Sequence, residues 1–252
     1  MNRREIMLGG ASAAGLIAAG RVRAQQPSEV VVGALYQMSG ASAQVGVDAQ
    51  HALNTALDVI NNSYDLDLPL AKGTGLPGLG GAKVRIVMAD HQGDPQKGRA
   101  EAERLITQDK VTALIGTYQS AVAVTVSQTA ERYQIPFMSA ENSSPSLQRQ
   151  GLKFFFRAAA HDEMFSKAMF DFMDDLRKKG RKIETLALFH EDTIFGTDSA
   201  NAQARLAKER GYKVKANIKY RANSPSLTAE VQQLKAADAD VLMPSSYTTD
   251  GI

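Results

Sequence analysis

The stretch Val111-Thr-Ala-Leu-Ile-Gly116-Thr-Tyr-Gln-Ser120 decides the fold. Its first half reads as a strand, its middle is a short polar turn, and its end opens a helix over residues 120–133. A second strand follows at once, Ile135-Pro-Phe-Met-Ser139. Strand, polar turn, helix and strand in that order build a parallel sheet covered by helices.

The same unit repeats on either side. Upstream, Val30-Val-Val-Gly-Ala-Leu35 is a short continuous apolar run, as expected for a strand buried on both faces. Residues 46–61 form a helix with Ala49, Ala52, Leu53, Ala56, Leu57 and Ile60 on one side. A turn-rich insertion, 65–81, leads into the strand Lys83 to Ala89, and Asp94-Pro95 opens a helix running to about residue 108, with Asp as N-cap and Pro at the first helical position. Downstream come a polar loop at 140–145, a strand at 152–157 and a helix at 162–179 that stops at Gly180. A second alternating unit then starts: strand 185–189, helix 197–210, strand 212–220, helix 226–236 and strand 241–244. The expected class is α/β, with two doubly wound Rossmann-like lobes around parallel sheets: residues 25–157 form the first lobe and 158–252 the second. Because the rhythm stops at Ile252 directly after a strand, the second lobe is expected to be incomplete.

The amino terminus reads as an export signal. Arg3 and Arg4 precede an Ala/Gly-rich apolar stretch from Gly9 to Gly20, and Val22-Arg-Ala24 resembles an A-x-A cleavage site, which places the cut after Ala24. The paired arginines resemble a twin-arginine signal, and an ordinary secretion signal fits as well. The apolar stretch is far short of the roughly 20 residues that span a bilayer. Residues 1–24 hold four of the 29 basic residues and one of the 27 acidic ones, leaving 25 basic against 26 acidic. No basic surface for nucleic acid is therefore expected. There is no cysteine, so disulfides, thiolate metal sites and a lipid-bearing cysteine are excluded, and a free periplasmic protein is expected.

The candidate chemistry thins out on inspection. Gly73-Thr-Gly75-Leu-Pro-Gly78 formally matches G-x-G-x-x-G, yet it lies in a Gly/Pro loop that leads into a strand, where a dinucleotide site needs a strand before it and a helix after it. His51, His91, His161 and His190 lie on separate elements without ligand spacing. Asp65/Asp67 and Asp174/Asp175 read as solvated charge, and no nucleophile–base set is visible. No catalytic residue, metal or cofactor is expected. What remains are the loops at the carboxyl ends of the strands, where open parallel sheets bind ligands. Gly116-Thr-Tyr-Gln-Ser120 offers helix-start N–H groups suited to a carboxylate, and Ser139-Ala-Glu-Asn-Ser143-Ser-Pro145 rises from the same edge. Ordinary capping by Ser120 and a turn at Ser143 account for the same residues equally well.

These residues resemble the periplasmic solute-binding proteins of the leucine/isoleucine/valine type that feed ABC importers. The likeness runs from Val30 to Ile252 and rests on Gly33-Ala-Leu-Tyr-Gln-Met-Ser-Gly40, Ala113-Leu-Ile-Gly116 with Ser120, Pro136 through Ser143-Ser-Pro145, His190-Glu-Asp-Thr-Ile-Phe-Gly196 and Pro244-Ser-Ser-Tyr247. It implies two lobes closing like a hinge on a small ligand, an amino acid of branched-chain type first, with an ABC permease as partner. Ser120 and Ser143 would hold the carboxylate, Glu141 would give a backbone carbonyl to the ammonium, and Phe195 and Tyr247 would pack on the ligand, with Tyr118 and Val45 beside them. Val45 stands where the family often has an aromatic, and Glu141 where small residues are common. The acidic partner of the ammonium is expected beyond Ile252. A sensor of the same fold, or a binder of aromatic acids or short amides, carries the same features.

Overall fold

A computed structural model of the chain describes residues 27–248 and 250; the expected signal at 1–24 lies outside the described residues. The first sheet contains β1 (Glu29–Tyr36), β2 (Lys83–Asp90), β3 (Ala113–Gly116), β4 (Phe137–Ser139) and β5 (Phe155–Arg157), all parallel, in the order β2-β1-β3-β4-β5. The second contains β6 (Thr185–Glu191), β7 (Lys213–Tyr220) and β8 (Val241–Ser245), parallel, in the order β7-β6-β8. In each sheet the first strand lies between its successors, so each has a point where successive connections leave in opposite directions. That is where doubly wound sheets open a crevice.

The apolar runs go where two-sided burial requires. Leu35 points to the face covered by α2 (Pro95–Thr107) and α3 (Ser120–Tyr133), and packs with Leu105, Leu114, Val122, Val126 and Phe137. Ala34 and Tyr36 point to the other face, against Ala49 of α1 (Ala43–Asn61). Alternate residues of one strand therefore serve two cores, which is why Val30 to Leu35 has no polar gap. Each fully buried Leu or Phe contributes about 1.5–3 kcal/mol. The second sheet repeats the plan. Leu186 and Leu188 pack with Phe170 and Met173 of α5 (Asp162–Lys178) and Leu206 of α6 (Ile194–Glu209). Phe189, Ile218 and Tyr220 meet Leu227 and Leu234 on the side of α7 (Thr228–Ala237).

Several boundaries move. α1 starts three residues before the expected position, at Ala43, and α6 also starts three early, at Ile194. The early starts have a physical cause in α6: the Glu191 carboxylate accepts the Thr193 and Gly196 N–H groups and the Thr193 hydroxyl, satisfying the helix start from the end of β6. Phe195 and Gly196 thus lie in the first helical turn. The strand expected at 152–157 is confined to Phe155–Arg157, and a short helix, α4 (Ser146–Arg149), follows the 140–145 loop. The Asp94 cap forms as expected, accepting from the N–H groups of Gln96 and Lys97. The 65–81 insertion is a chain of turns with a 3-10 turn at Pro77–Leu79, so its glycines open no helix onto a phosphate.

Gly46 and Gly196 hold corresponding places in the two lobes, in the first turn of the helix after β1 and after β6. A Cβ on Gly46 would lie 2.2 Å from the Gln37 carbonyl oxygen, and one on Gly196 would lie 2.3 Å from that of Glu191. Each helix start therefore presses on backbone that cannot rotate aside. Gly196→Ala is expected to lower stability by roughly 1–3 kcal/mol, read as a lower urea midpoint; an unchanged midpoint would refute the close packing of this turn.

Candidate functional site

Six turns leave the carboxyl ends of β1, β2, β3, β6, β7 and β8 and border one cleft, to which Gln37, Ser42, Gly93, Gln119, Thr193, Asn223 and Tyr247 contribute. The turn after β1 is pinned by Asp90 at the end of β2, which accepts from the Met38 N–H at 2.9 Å and the Ser39 hydroxyl at 2.6 Å. The turn after β3 is tied to the loop after β4 by Asn142, which is completely buried. Its Nδ2 donates to Thr117 Oγ1 and to the Tyr118 carbonyl, both at 3.0 Å, and its Oδ1 accepts from Ser139 Oγ at 3.0 Å. The two loops that the sequence nominates are thus one rigid unit.

Ser120 is the first residue of α3, with Gln119 at the N-cap, so capping by the Ser120 side chain does not occur. Its hydroxyl, 1% exposed, accepts from the Ser144 N–H at 3.3 Å. Ser144 in turn reaches the second lobe. Its hydroxyl donates to Asp198 Oδ2 on α6, and the Ser146 N–H donates to the same oxygen at 3.2 Å. The Ser144 carbonyl accepts from Arg157 Nη2 at 2.7 Å, and Arg157 Nη1 donates to the Asn142 carbonyl. The Ser143 carbonyl accepts from the Asp162 N–H at 2.8 Å, where the chain crosses into α5.

Three of the expected site residues meet directly. The Tyr247 ring lies 5.2 Å from that of Tyr118, edge-on, and 5.0 Å from that of Phe195. The Tyr247 hydroxyl is buried without a hydrogen-bond partner among the described residues, with the Ser120 amide and the Thr193 hydroxyl near it but not in bonding geometry. Burial and then the Glu191 charge push its pKa up. The Ser143 side chain lies against the Asp162 carboxyl. The Glu141 side chain lies beside the Tyr36 hydroxyl, and partial desolvation there raises its pKa. Val45 sits half-buried in the first turn of α1. The reading from sequence missed Asn142, Arg157, Asp198, Gln37 and Gln119. Asn142 and Asp198 carry no local pattern that would have marked them, whereas Gln37 and Gln119 directly follow strands and could have been nominated by position alone.

The sequence model of the periplasmic binding protein family matches residues 29–252. The chain belongs to the periplasmic binding protein family. Among its relatives are the Leu/Ile/Val-binding protein homolog 7 of Brucella suis, 28% identical over 230 residues, and homolog 8 of Brucella abortus, 30% identical over 232 residues. Both alignments cover 89% of this chain, against 54% and 53% of the relatives, so the chain spans about half of their length. The fold is similar to that of a solute-binding protein of an ABC transporter from Rhodopseudomonas palustris, solved in complex with 3,4-dihydroxybenzoic acid (TM-score 0.74, 18% identity, covering 89% of this chain and 56% of that one). It is likewise similar to a leucine-binding protein from Thermotoga maritima (TM-score 0.71, 19% identity, covering 85% and 55%).

Two buried groups of this chain, one in each lobe, shift in opposite directions with pH. Burial raises Asp162 to about 6 and lowers His91 to about 4. Folded Asp162 binds its proton more tightly than the unfolded chain does, so its contribution is present at low pH and is lost as pH rises toward 6. Folded His91 resists protonation, so its contribution is present above about pH 6.5 and is lost as pH falls toward 4. Each is worth roughly 2–3 kcal/mol, and the two nearly cancel across pH 4–6. Asp162→Asn is expected to raise the urea midpoint at pH 7.5 and to expose a loss of stability between pH 6.5 and 4.5; a midpoint that stays flat with pH in the variant would contradict this balance. Asp198→Ala leaves the Ser144 hydroxyl and the Ser146 N–H unpaired, a cost of about 1–3 kcal/mol. Small-angle scattering is expected to show the variant with a larger radius of gyration as the lobes part, and an identical scattering curve would refute the cross-lobe tie.

Proposed function

We propose that this protein captures a small carboxylate-bearing ligand, an amino acid first, in the cleft between its lobes and presents it to an ABC importer permease outside the cytoplasm. The observation that carries the reading is the junction of the Ser120 helix start with the Ser143–Ser144 loop beside Phe195 and Tyr247. Free N–H groups at a helix start favour an anion, and aromatic rings from both lobes give the closing cleft an apolar wall. Ser120, Ser143 and the Glu141 backbone are assigned to the polar end of the ligand; Phe195, Tyr247, Tyr118 and Val45 are assigned to its body. The names of the Brucella relatives support a branched-chain amino acid. An aromatic acid is the second reading, favoured by the Tyr118–Tyr247–Phe195 cluster and by the 3,4-dihydroxybenzoic acid held by the Rhodopseudomonas protein.

Isothermal titration calorimetry of the full-length mature protein against amino acids and aromatic acids tests this. One ligand is expected to bind reversibly and to stabilise the fold by about 2.7 kcal/mol at a hundredfold excess over its Kd. Ser120→Ala and Ser143→Ala are each expected to weaken it roughly 10- to 100-fold, as loss of a hydrogen bond to a charged group does. Conversion of the ligand by the pure protein, or unchanged affinity in both variants, would overturn the assignment.

A further inference from the structure

One end of the cleft has a chemistry of its own. The space beside α3 is bordered by Gln37, Ser42 and Gln119 from the first lobe and by Thr193, Asn223 and Tyr247 at the second. None of these side chains is charged at neutral pH. Gln37 and Gln119 are 6% and 9% exposed, and Gln119 Nε2 donates to Gln37 Oε1. That bond leaves Gln119 Oε1 buried without a partner among the described residues. A buried amide oxygen with nothing to accept is costly, and such groups in folded proteins are normally paired. Gln119 lines this space, and turning both amides over would leave its nitrogen unpaired in place of its oxygen.

The Gln37 side chain is held for this purpose by the backbone around it. A Cβ at Gly93 would lie only 2.9 Å from Gln37 Oε1, and one at Gly40 only 3.1 Å from its Nε2. The amide is therefore seated in a notch that exists because both positions are glycine. The remaining space is about 80 Å³, roughly half of the ~150 Å³ that a dry cavity needs to take a benzene ring. It suits a group of a few heavy atoms.

We propose that Gln37 and Gln119 form a neutral hydrogen-bonding subsite, and that the ligand carries an uncharged amide or hydroxyl at the end away from its carboxylate. This inference rests on the ligand-binding reading of the cleft and narrows its substrate class. An amide or a hydroxyl both donates and accepts, so it answers Gln119 in either orientation. An aliphatic end would shut water out and leave the Gln119 oxygen stranded. A charged end would lose its hydration with no counter-charge among the lining groups. A pair of glutamines that merely tethers the β1 and β3 turns would make no distinction between ligands.

Calorimetry with L-glutamine, L-asparagine, L-leucine and benzoate, an aromatic acid with no polar group opposite its carboxylate, on the full-length protein decides the matter. The wild type is expected to bind one of the two amides at least tenfold more tightly than leucine. Gln119→Leu and Gln37→Leu are expected to reduce that preference to twofold or less by weakening the amides far more than leucine. If either variant fails to fold, Gln119→Met, unbranched and of similar length, carries the same comparison. Leucine or the aromatic acid bound as tightly as the amides, or variants that weaken all ligands alike, would overturn the subsite while leaving the binding function standing. Binding of none of the four would overturn the reading of the cleft and the subsite with it.

Discussion

Ser144 is completely buried, and all three of its polar groups are engaged in different directions. Its N–H reaches Ser120 at the start of α3, its hydroxyl reaches Asp198 on α6, and its carbonyl takes the Arg157 guanidinium at the end of β5. A buried polar group without a partner costs more than a typical hydrogen bond contributes, so these three contacts constrain one another. The loop after β4 can take this position only if α3, β5 and α6 are all in place. The geometry of the cleft follows from that requirement, because the same loop carries Glu141 and Ser143 and is tied by Asn142 to the turn bearing Tyr118.

The two sheets supply the frame on which this junction stands. Each places its first strand between the next two, so each opens its crevice beside that strand. The glycines at 46 and 196 bring the following helix against the end of the strand in both lobes. Apolar packing runs up to Tyr36, Ile115 and Phe189, and the buried groups that follow are polar: Gln37, Thr117, Gln119 and Glu191. The cores provide most of the stability without direction. The polar layer above them provides the direction, through hydrogen bonds whose failure would be expensive.

The parallel α/β pattern was legible because burial on both faces demands unbroken apolar runs, and Val30 to Leu35 and Val111 to Gly116 meet that demand locally. The caps at Asp94 and Gly180 were legible for the same reason, since their partners lie within a few residues. The start of α6 was misplaced because its stabilising group, the Glu191 carboxylate, acts from the preceding strand and looks in the sequence like one more loop acid. The strand at 152–157 was overextended because an apolar stretch does not reveal how far its neighbour β4 runs, and β4 is only three residues long. Tyr118, Phe195 and Tyr247 were each nominated, but nothing in the letters showed that their rings would touch one another.

The sequence by itself determined the class of fold, the order of its elements and the strand ends from which polar loops would rise, because periodicity and capping are local and repeat with the backbone. Only the tertiary structure decided that Ser120 is met by Ser144 and not by its own helix, that Glu141 lies beside Tyr36, and that Gln119 faces Gln37 with one oxygen unpaired among the described residues. Those outcomes join residues 24, 105 and 82 positions apart along the chain. The free energy of a buried polar group depends on which partner reaches it first in space, and no stretch of sequence contains that distance.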